Sequence, residues 1–378
     1  MSFRIVSHLL PICLGCASLP VWAQNTLTVP MEVVHVSNPN LVPDGLGDDS
    51  RRGSATLYRL HPQYTLQFAD EATRTELSLG GLIERSSNTA LSAHRSLPSL
   101  GVLWESRRPT SLIGLRASLA EASTRETEFA EFGRVATDST QRTGSIGATW
   151  ATELTSNTGV ELAAFHSRVN YDTSAARDYQ ETGGSASYRR QIDENNRYSL
   201  TVSTARQQQE SDRSGGVARN RVSRTGLIFG FESNLSERQT LVANVGVVRA
   251  GSFDKETHSI GGVRLAGEGE RLTYSLEWSV DVSADGTSRG YTRASTVGLS
   301  LGYSLTAQTS FTAGGSRARA LSGERSEGFL LYAQIRSELS PFWAVTAGLE
   351  HRRARTADAP FARGHTVTLG LVYTHPDF

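Results

Sequence analysis

Residues Leu272 to Ser283 read LTYSLEWSVDVS and alternate without a slip. Leu272, Tyr274, Leu276, Trp278, Val280 and Val282 share one parity, while Thr273, Ser275, Glu277, Ser279, Asp281 and Ser283 share the other. A period of two means a strand, because successive side chains leave opposite faces of the pleat. The pattern returns in YRLHPQYTLQF (58–68), VGLSLGYSL (297–305) and TVTLGLVY (366–373), and near residues 113–119, 227–231, 241–247 and 343–349. No segment of comparable length has helical spacing. The chain is expected to be all-β.

Connection lengths alternate as well. Short polar joins carry turn residues: ADEAT (69–73), LTSNT (154–158), DENN (193–196), SERQ (236–239) and TAQT (306–309). Between them fall long connections at 37–54, 86–97, 124–141, 210–219 and 356–363, rich in Asp, Arg, Ser and Gly. Short turns on one rim and long loops on the other describe an up-and-down antiparallel transmembrane β-barrel. Its strand count should be even, about eighteen, with sixteen the next choice. The first connection is long, so both termini should lie on the short-turn side, in the periplasm of a Gram-negative cell.

A soluble sandwich also alternates. Two features favour the barrel. The polar parity is rich in Gly, Ser and Thr with sparse charges of both signs, as a watery lumen requires. Aromatic residues Trp150, Tyr198, Tyr274, Tyr303, Trp343 and Tyr373 sit near strand ends on the apolar parity, where an interfacial girdle belongs. On this reading Leu272, Tyr274, Leu276, Trp278, Val280 and Val282 face acyl chains, and a sheet facing hydrocarbon has to close.

The first residues agree with export. MSFRIVSHLLPICLGCASLPVWAQ has an early cation, an apolar run, and Val21 and Ala23 at the −3 and −1 positions of a cut before Gln24. Residues 1–23 are therefore read as a signal peptide and 24–378 as the barrel. A lipoprotein cut at CLGC, keeping Cys16, is the alternative. Both cysteines lie in the segment to be removed, so a mature chain would have neither disulfides nor Cys-ligated metal. The 38 Lys and Arg balance the 38 Asp and Glu, which gives no bulk attraction to nucleic acid.

By parity, Arg59, Glu76, Glu84, Glu105, Arg116, Arg264, Glu277, Asp281, Arg336, Glu350 and Arg352 point into the lumen. They either grip a polar solute or pair across the lumen and stiffen it. Two long connections, ERSSNTALSAHR (84–95) and STRETEFAEFGR (123–134), are candidates for an inward fold, with Arg85, Arg95, Arg125 and Glu128 as contact residues. The alternative is a pair of polar surface loops. Catalytic and metal-binding constellations are not expected. There is no HExxH, and the Asp48–Asp49 pair reads as solvated loop. No cofactor is implied.

The stretches SPFWAVTAGLEHRRART, VTLGLVYTHPDF, IERSSNTALSAHR, EASTRETEFAEFGRV and VSNPNLV resemble a family of uncharacterised outer-membrane β-barrels, grouped with β-barrel porins that accompany exopolysaccharide production and export. That resemblance implies a barrel, with an exopolysaccharide as cargo or an export complex as partner, and no settled mechanism. Tyr373 and the terminal Phe378 resemble the signal read by the barrel-assembly machinery, although Phe378 is out of phase and Pro376 interrupts the run. The expected function is a porin-like channel for a polar solute. A non-conducting scaffold of an export complex and an outer-membrane hydrolase are the alternatives. Expected partners are outer-membrane lipid, the assembly machinery and polysaccharide export components.

Overall fold

A computed structural model describes residues 22–43, 52–134, 138–173, 176–213, 216–252, 255–286, 290–323, 325–357 and 359–376, without the side chains of 22 and 211–219. The expected signal segment up to residue 21, the Asp48–Asp49 pair and Phe378 lie outside the described residues.

Among the described residues nineteen strands and one helix follow in order. The first half comprises β1 (Trp22–Ser37), β2 (Ser54–Leu60), β3 (Gln63–Ala69), β4 (Thr73–Ser86), β5 (Arg95–Arg108), β6 (Ser111–Ser123), α1 (Thr124–Phe132), β7 (Thr140–Thr155), β8 (Thr158–Tyr171) and β9 (Tyr179–Gln191). The second half comprises β10 (Asn196–Arg213), β11 (Gly216–Ser236), β12 (Gln239–Gly251), β13 (Glu256–Glu268), β14 (Leu272–Ala284) and β15 (Tyr291–Ser304). It closes with β16 (Thr309–Ala320), β17 (Ser326–Glu338), β18 (Trp343–Thr356) and β19 (Ala362–Pro376).

Apart from β2 and β3, which each pair with β1 and β4, every strand pairs antiparallel with its sequence neighbour, and β1 pairs with β19 to close the sheet. β2 and β3 are two halves of one barrel strand. Leu60 lies opposite Met31 and Gln63 opposite Thr28, so the break at His61–Pro62 costs no register against β1. The same holds against β4, where Leu60 faces Ile83 and Gln63 faces Gly80. The ladder even continues through the break, with His61 N donating to Pro30 O and Gly81 N to Pro62 O. The barrel therefore has eighteen strands. A proline nitrogen cannot donate, and this one interrupts a strand without ending it.

The short turns gather at one rim, and side-chain oxygens shape them. Asp70 Oδ1 accepts from the backbone N of Ala72 and Thr73, and Asp193 Oδ1 from Asn195 and Asn196. The Thr73 hydroxyl and the Asn196 side-chain amide donate to the same carboxylates, and together with the backbone bonds they favour the charged form and hold both carboxyls below their ordinary range. Closure by hydrogen bonds replaces a central core. The apolar parity faces outward and is exposed: Val245, Leu349 and Leu369 at 62% each, and Leu276 and Trp278 close to half. Aromatic residues ring the outer surface near the short turns, where Tyr198 packs on Phe231 at 5.1 Å and Trp343 on Tyr373 at 4.9 Å.

Three expectations need correction. The loop expected at 210–219 is largely strand, because Glu210 pairs with Arg219 and the β10–β11 ladder continues to Arg213 opposite Gly216. The connection at 124–141 holds a nine-residue helix that no long helical period announced. β19 runs through to Pro376, which lies opposite Thr26 at the end of the ladder, so that proline terminates pairing and does not break it.

Candidate functional site

The functional interest lies where connections from the long-loop rim turn into the barrel. α1 is the main intruder. It ends at Gly133, whose φ of 65° is left-handed, and Gly133 N and Arg134 N close the end on Phe129 O and Glu128 O. Glycine is required there twice over: a Cβ would also lie 2.3 Å from Ala318 O and Gly328 N. The helix leaves β6 yet touches β15, β16 and β17. Counted round the ring through β1, β17 is seven strands from β6, so α1 reaches the far wall.

Apolar anchors hold it there. Phe129 packs with Leu41, Ala354, Ala362 and Leu330, and the Arg352 guanidinium stands 5.5 Å over its ring. Phe132 is 2% exposed, and Ser326 Oγ donates to its carbonyl at 2.8 Å. These are the inward faces of strands whose outward faces carry the apolar belt. The few buried clusters arise where an inward segment meets the wall.

Charges fill the space between α1 and the wall of β17, β18, β19, β1, β2 and β4. A cavity of about 270 Å³ there is lined by Glu32, Arg59, Glu84, Arg95, Arg125, Glu126, Glu350 and Arg352, with Tyr332, Gln334, Thr366 and Thr368 between them. Arg59 Nε lies 2.7 Å from Glu84 Oε2, and Arg59 Nη2 lies 3.4 Å from Glu126 Oε1. Arg352 pairs with Glu350. Asp138 collects Arg95, Arg125 at 3.1 Å and the backbone N of Ala93 at 2.9 Å. Arg125 Nη2 also donates to Asn40 Oδ1 at 2.9 Å and to Leu91 O at 3.2 Å. One guanidinium thus ties the β1–β2, β4–β5 and β6–β7 connections together. Burial and the neighbouring Arg95 push Arg125 down to about 10, which leaves it cationic at neutral pH. Glu128, paired with Arg134, is pushed up by burial, which outweighs that partner.

A second intruder is the tip of the β14–β15 hairpin. β14 pairs with β13 only as far as Val280, then leaves it while remaining paired with β15. Beyond that point its outer face turns onto the inner wall. Val282 is 1% exposed and clusters with Val222, Val248, Ala250, Ile260 and Tyr291. The expectation that Val282 faces acyl chains is therefore wrong, because the hairpin folds inward between Val280 and Val282. Polar bonds pin the tip: Arg224 Nη1 donates to Val282 O at 2.9 Å, Gln207 Nε2 to Asp285 O at 2.9 Å, and Tyr291 Oη to Glu181 Oε1 at 3.0 Å. Ser283 lies beside the Glu131 carboxyl, so the two intruding segments meet inside the barrel. Val282→Asp places an unpaired carboxylate in this cluster and is expected to release the tip. Limited proteolysis would then cut near residues 286–290 in the variant and spare the parent; equal resistance would show that Val282 does not hold it.

The residues expected to face the lumen divide by height. Arg59, Glu84, Glu350 and Arg352 line the cavity. Glu76, Glu105, Arg116, Arg264, Glu277 and Arg336 stand on the parity opposite the exposed belt, further towards the short turns. Arg264 lies directly across from Glu277. Asp281 sits at the bend of β14 and is exposed. Of the expected contact residues, Arg95 and Arg125 meet on Asp138 at the cavity, Glu128 pairs with Arg134 on α1 outside its lining, and Arg85 joins neither. It shares the outward parity of Leu79 and Ile83, is exposed, and among the described residues donates to the carbonyls of Glu84 and Arg95. Glu32, Asp138, Glu181 and Arg224 were missed. In PMEVVHV the adjacent apolar pair Val33–Val34 hides which side Glu32 takes.

No protein-family model matches the chain, and no curated protein matches it. Solved structures do. Acinetobacter baumannii OccAB4 aligns with a TM-score of 0.51 at 8% identity, covering 94% of this chain and 98% of its own. The Pseudomonas aeruginosa outer-membrane protein OpdK aligns with a TM-score of 0.51 at 10% identity over the same shares, and its structure with vanillate with a TM-score of 0.50. At such identities the likeness is one of fold: a closed eighteen-strand antiparallel barrel.

Proposed function

We propose that this barrel sits in the outer membrane with its termini in the periplasm and acts as a porin-like channel for small polar solutes. The observation that carries the reading is the cavity of mixed charge beside α1, where four arginines and four glutamates surround about 270 Å³. A solute with a carboxylate or an ammonium group can exchange with these ion pairs as it passes, and arginine forks suit carboxylates in particular. OpdK, which shares the fold, has been crystallised with the carboxylate vanillate, which is consistent with that class. The belt of exposed Leu, Val and Ile supports membrane insertion, since contiguous apolar surface on this scale needs hydrocarbon around it. Export through the segment ending at Ala23 and insertion by the barrel-assembly machinery, reading Tyr373 and Phe378, belong to the same proposal.

An exopolysaccharide cargo finds no support in the comparisons, and a constriction of this size suits a small solute better than a polymer. Single-channel recording in planar bilayers tests the proposal. Arg352→Gln is expected to raise cation-over-anion permeability severalfold, and Glu350→Gln to shift it the opposite way. Folded protein that inserts and passes no current would instead favour the scaffold.

A further inference from the structure

The outer surface at the long-loop rim changes character abruptly on β16–β19. From the short-turn rim upward, the outward parity of β18 reads Trp343, Val345, Ala347, Leu349, His351, Arg353, Arg355. On β19 it reads Tyr373, Leu371, Leu369, Val367, His365, Arg363, and on β16 it ends in Arg317 and Arg319. The registers bring these together. Arg317 lies opposite Phe329, Phe329 opposite Arg353, and Arg353 opposite Arg363, so one cross-strand row carries three guanidiniums and a ring. The next row places Arg319 and Arg355 on either side of Glu327.

Glu327 is the only carboxylate among the described residues of this face. It is committed to Arg317 (2.7 Å from Nε) and Arg355 (2.7 Å from Nη2). Arg319, Arg353 and Arg363 have no anionic partner among the described residues, and the Nε of Arg353 is buried without an acceptor. Like charges directly opposite each other on a sheet are destabilising, as at Arg353 and Arg363, so the row needs an anion from elsewhere. Aromatic rings flank the cations: Phe361 lies 4.5 Å from Arg353 and 4.7 Å from Arg355, and Phe329 lies 5.2 Å from Arg317.

Height identifies the anion. Ten residues separate the Trp343–Tyr373 girdle from the Arg353–Arg363 row on both strands. At about 3.3 Å per residue and a tilt of about 40°, that is roughly 25 Å, the height of the apolar band of such barrels. The row therefore stands where the phosphates of the adjoining leaflet lie.

We propose that Arg317, Arg353 and Arg363, with Arg319 and Arg355 above them, form a docking site for the phosphate group of an anionic membrane lipid. This rests on the membrane reading above and is independent of conduction. The lipid seats its acyl chains on Leu331, Leu349 and Leu369, and its phosphate meets Arg353 and Arg363, which have no anionic partner among the described residues, with Arg317 beside them in the row.

The test is native mass spectrometry of the full purified barrel titrated with phosphatidylglycerol or phosphatidylcholine. The parent is expected to prefer phosphatidylglycerol, and R317Q/R353Q/R363Q to lose that preference by at least about tenfold. R317K/R353K/R363K should keep most of it, which separates charge from loss of structure. Equal binding of the two lipids by the parent, or an undiminished preference in the glutamine variant, would overturn the site. Single-channel current in phosphatidylcholine bilayers should be the same in all three proteins. Failure to insert into any bilayer would count against the membrane reading, whereas insertion without lipid preference counts against this site alone.

Discussion

Val245→Arg is expected to lower the stability of the folded barrel in lipid vesicles by about 2–4 kcal/mol, and Asn244→Arg beside it by much less. The two residues are neighbours in the middle of β12 and differ in the face they take. Val245 is 62% exposed and shares its parity with the outward Val247, whereas Asn244 lies on the lumen side. In hydrocarbon, an arginine at mid-height has no water within easy reach, and only snorkelling and local thinning relieve it. In the lumen it stays hydrated. A soluble protein would behave oppositely, because an exposed valine replaced by arginine is nearly neutral there. Urea-unfolding midpoints measured in vesicles read the difference. Two variants of equal stability would mean that the outward parity does not meet lipid.

Replacing residues 124–138 by a short Gly-Ser link is expected to raise single-channel conductance by roughly two- to fivefold. Eighteen strands enclose a space wide enough for an aqueous channel, so what narrows it has to be added from inside. α1 leaves β6 and docks on β15, β16 and β17, which places it across the lumen. The excision also removes Arg125, Glu126 and Asp138, and with them one side of the charged cavity. Ion selectivity should weaken together with the rise in current. Gly133→Val gives an intermediate case: its side chain would collide with Ala318 O and Gly328 N in a left-handed conformation, so the helix undocks and stays in the barrel as an untethered obstruction. Larger current noise with a smaller rise in mean conductance is the expected signature. If excision leaves conductance unchanged, the narrowing lies elsewhere, and the β14–β15 tip is the next segment to remove.

Particular residues show how far sequence reading carries. Leu272, Leu276 and Trp278 take the outward face and Glu277 the inward one, as their alternation requires. Val282 breaks the rule without any break in the alternation, because its hairpin bends as a unit. The helix was hidden by its length, since nine residues with apolar positions at Phe129 and Phe132 set no visible period. Its boundaries did leave marks: Ser123 and Glu126 have capping-box spacing, although no side-chain cap bond forms, and Gly133 ends it. Arg85 was grouped with the constriction for its place in a charged connection, whereas its parity with Leu79 and Ile83 already pointed outward.

The amino-acid sequence by itself determined that this chain would be a closed sheet with short turns at one rim, and which side would face out wherever the alternation is clean and the strand stays in the wall. Alternation is a property of two adjacent residues and needs no knowledge of what lies across the strand. The tertiary structure alone decided which charges meet. Arg317, Arg353 and Arg363 become one row only through the register of four strands, and Arg125 finds Asn40 and Asp138 only because three loops turn inward together. Such meetings depend on strand register and on the packing of connections inside the lumen, which join residues tens to hundreds of positions apart and leave no periodic trace along the chain.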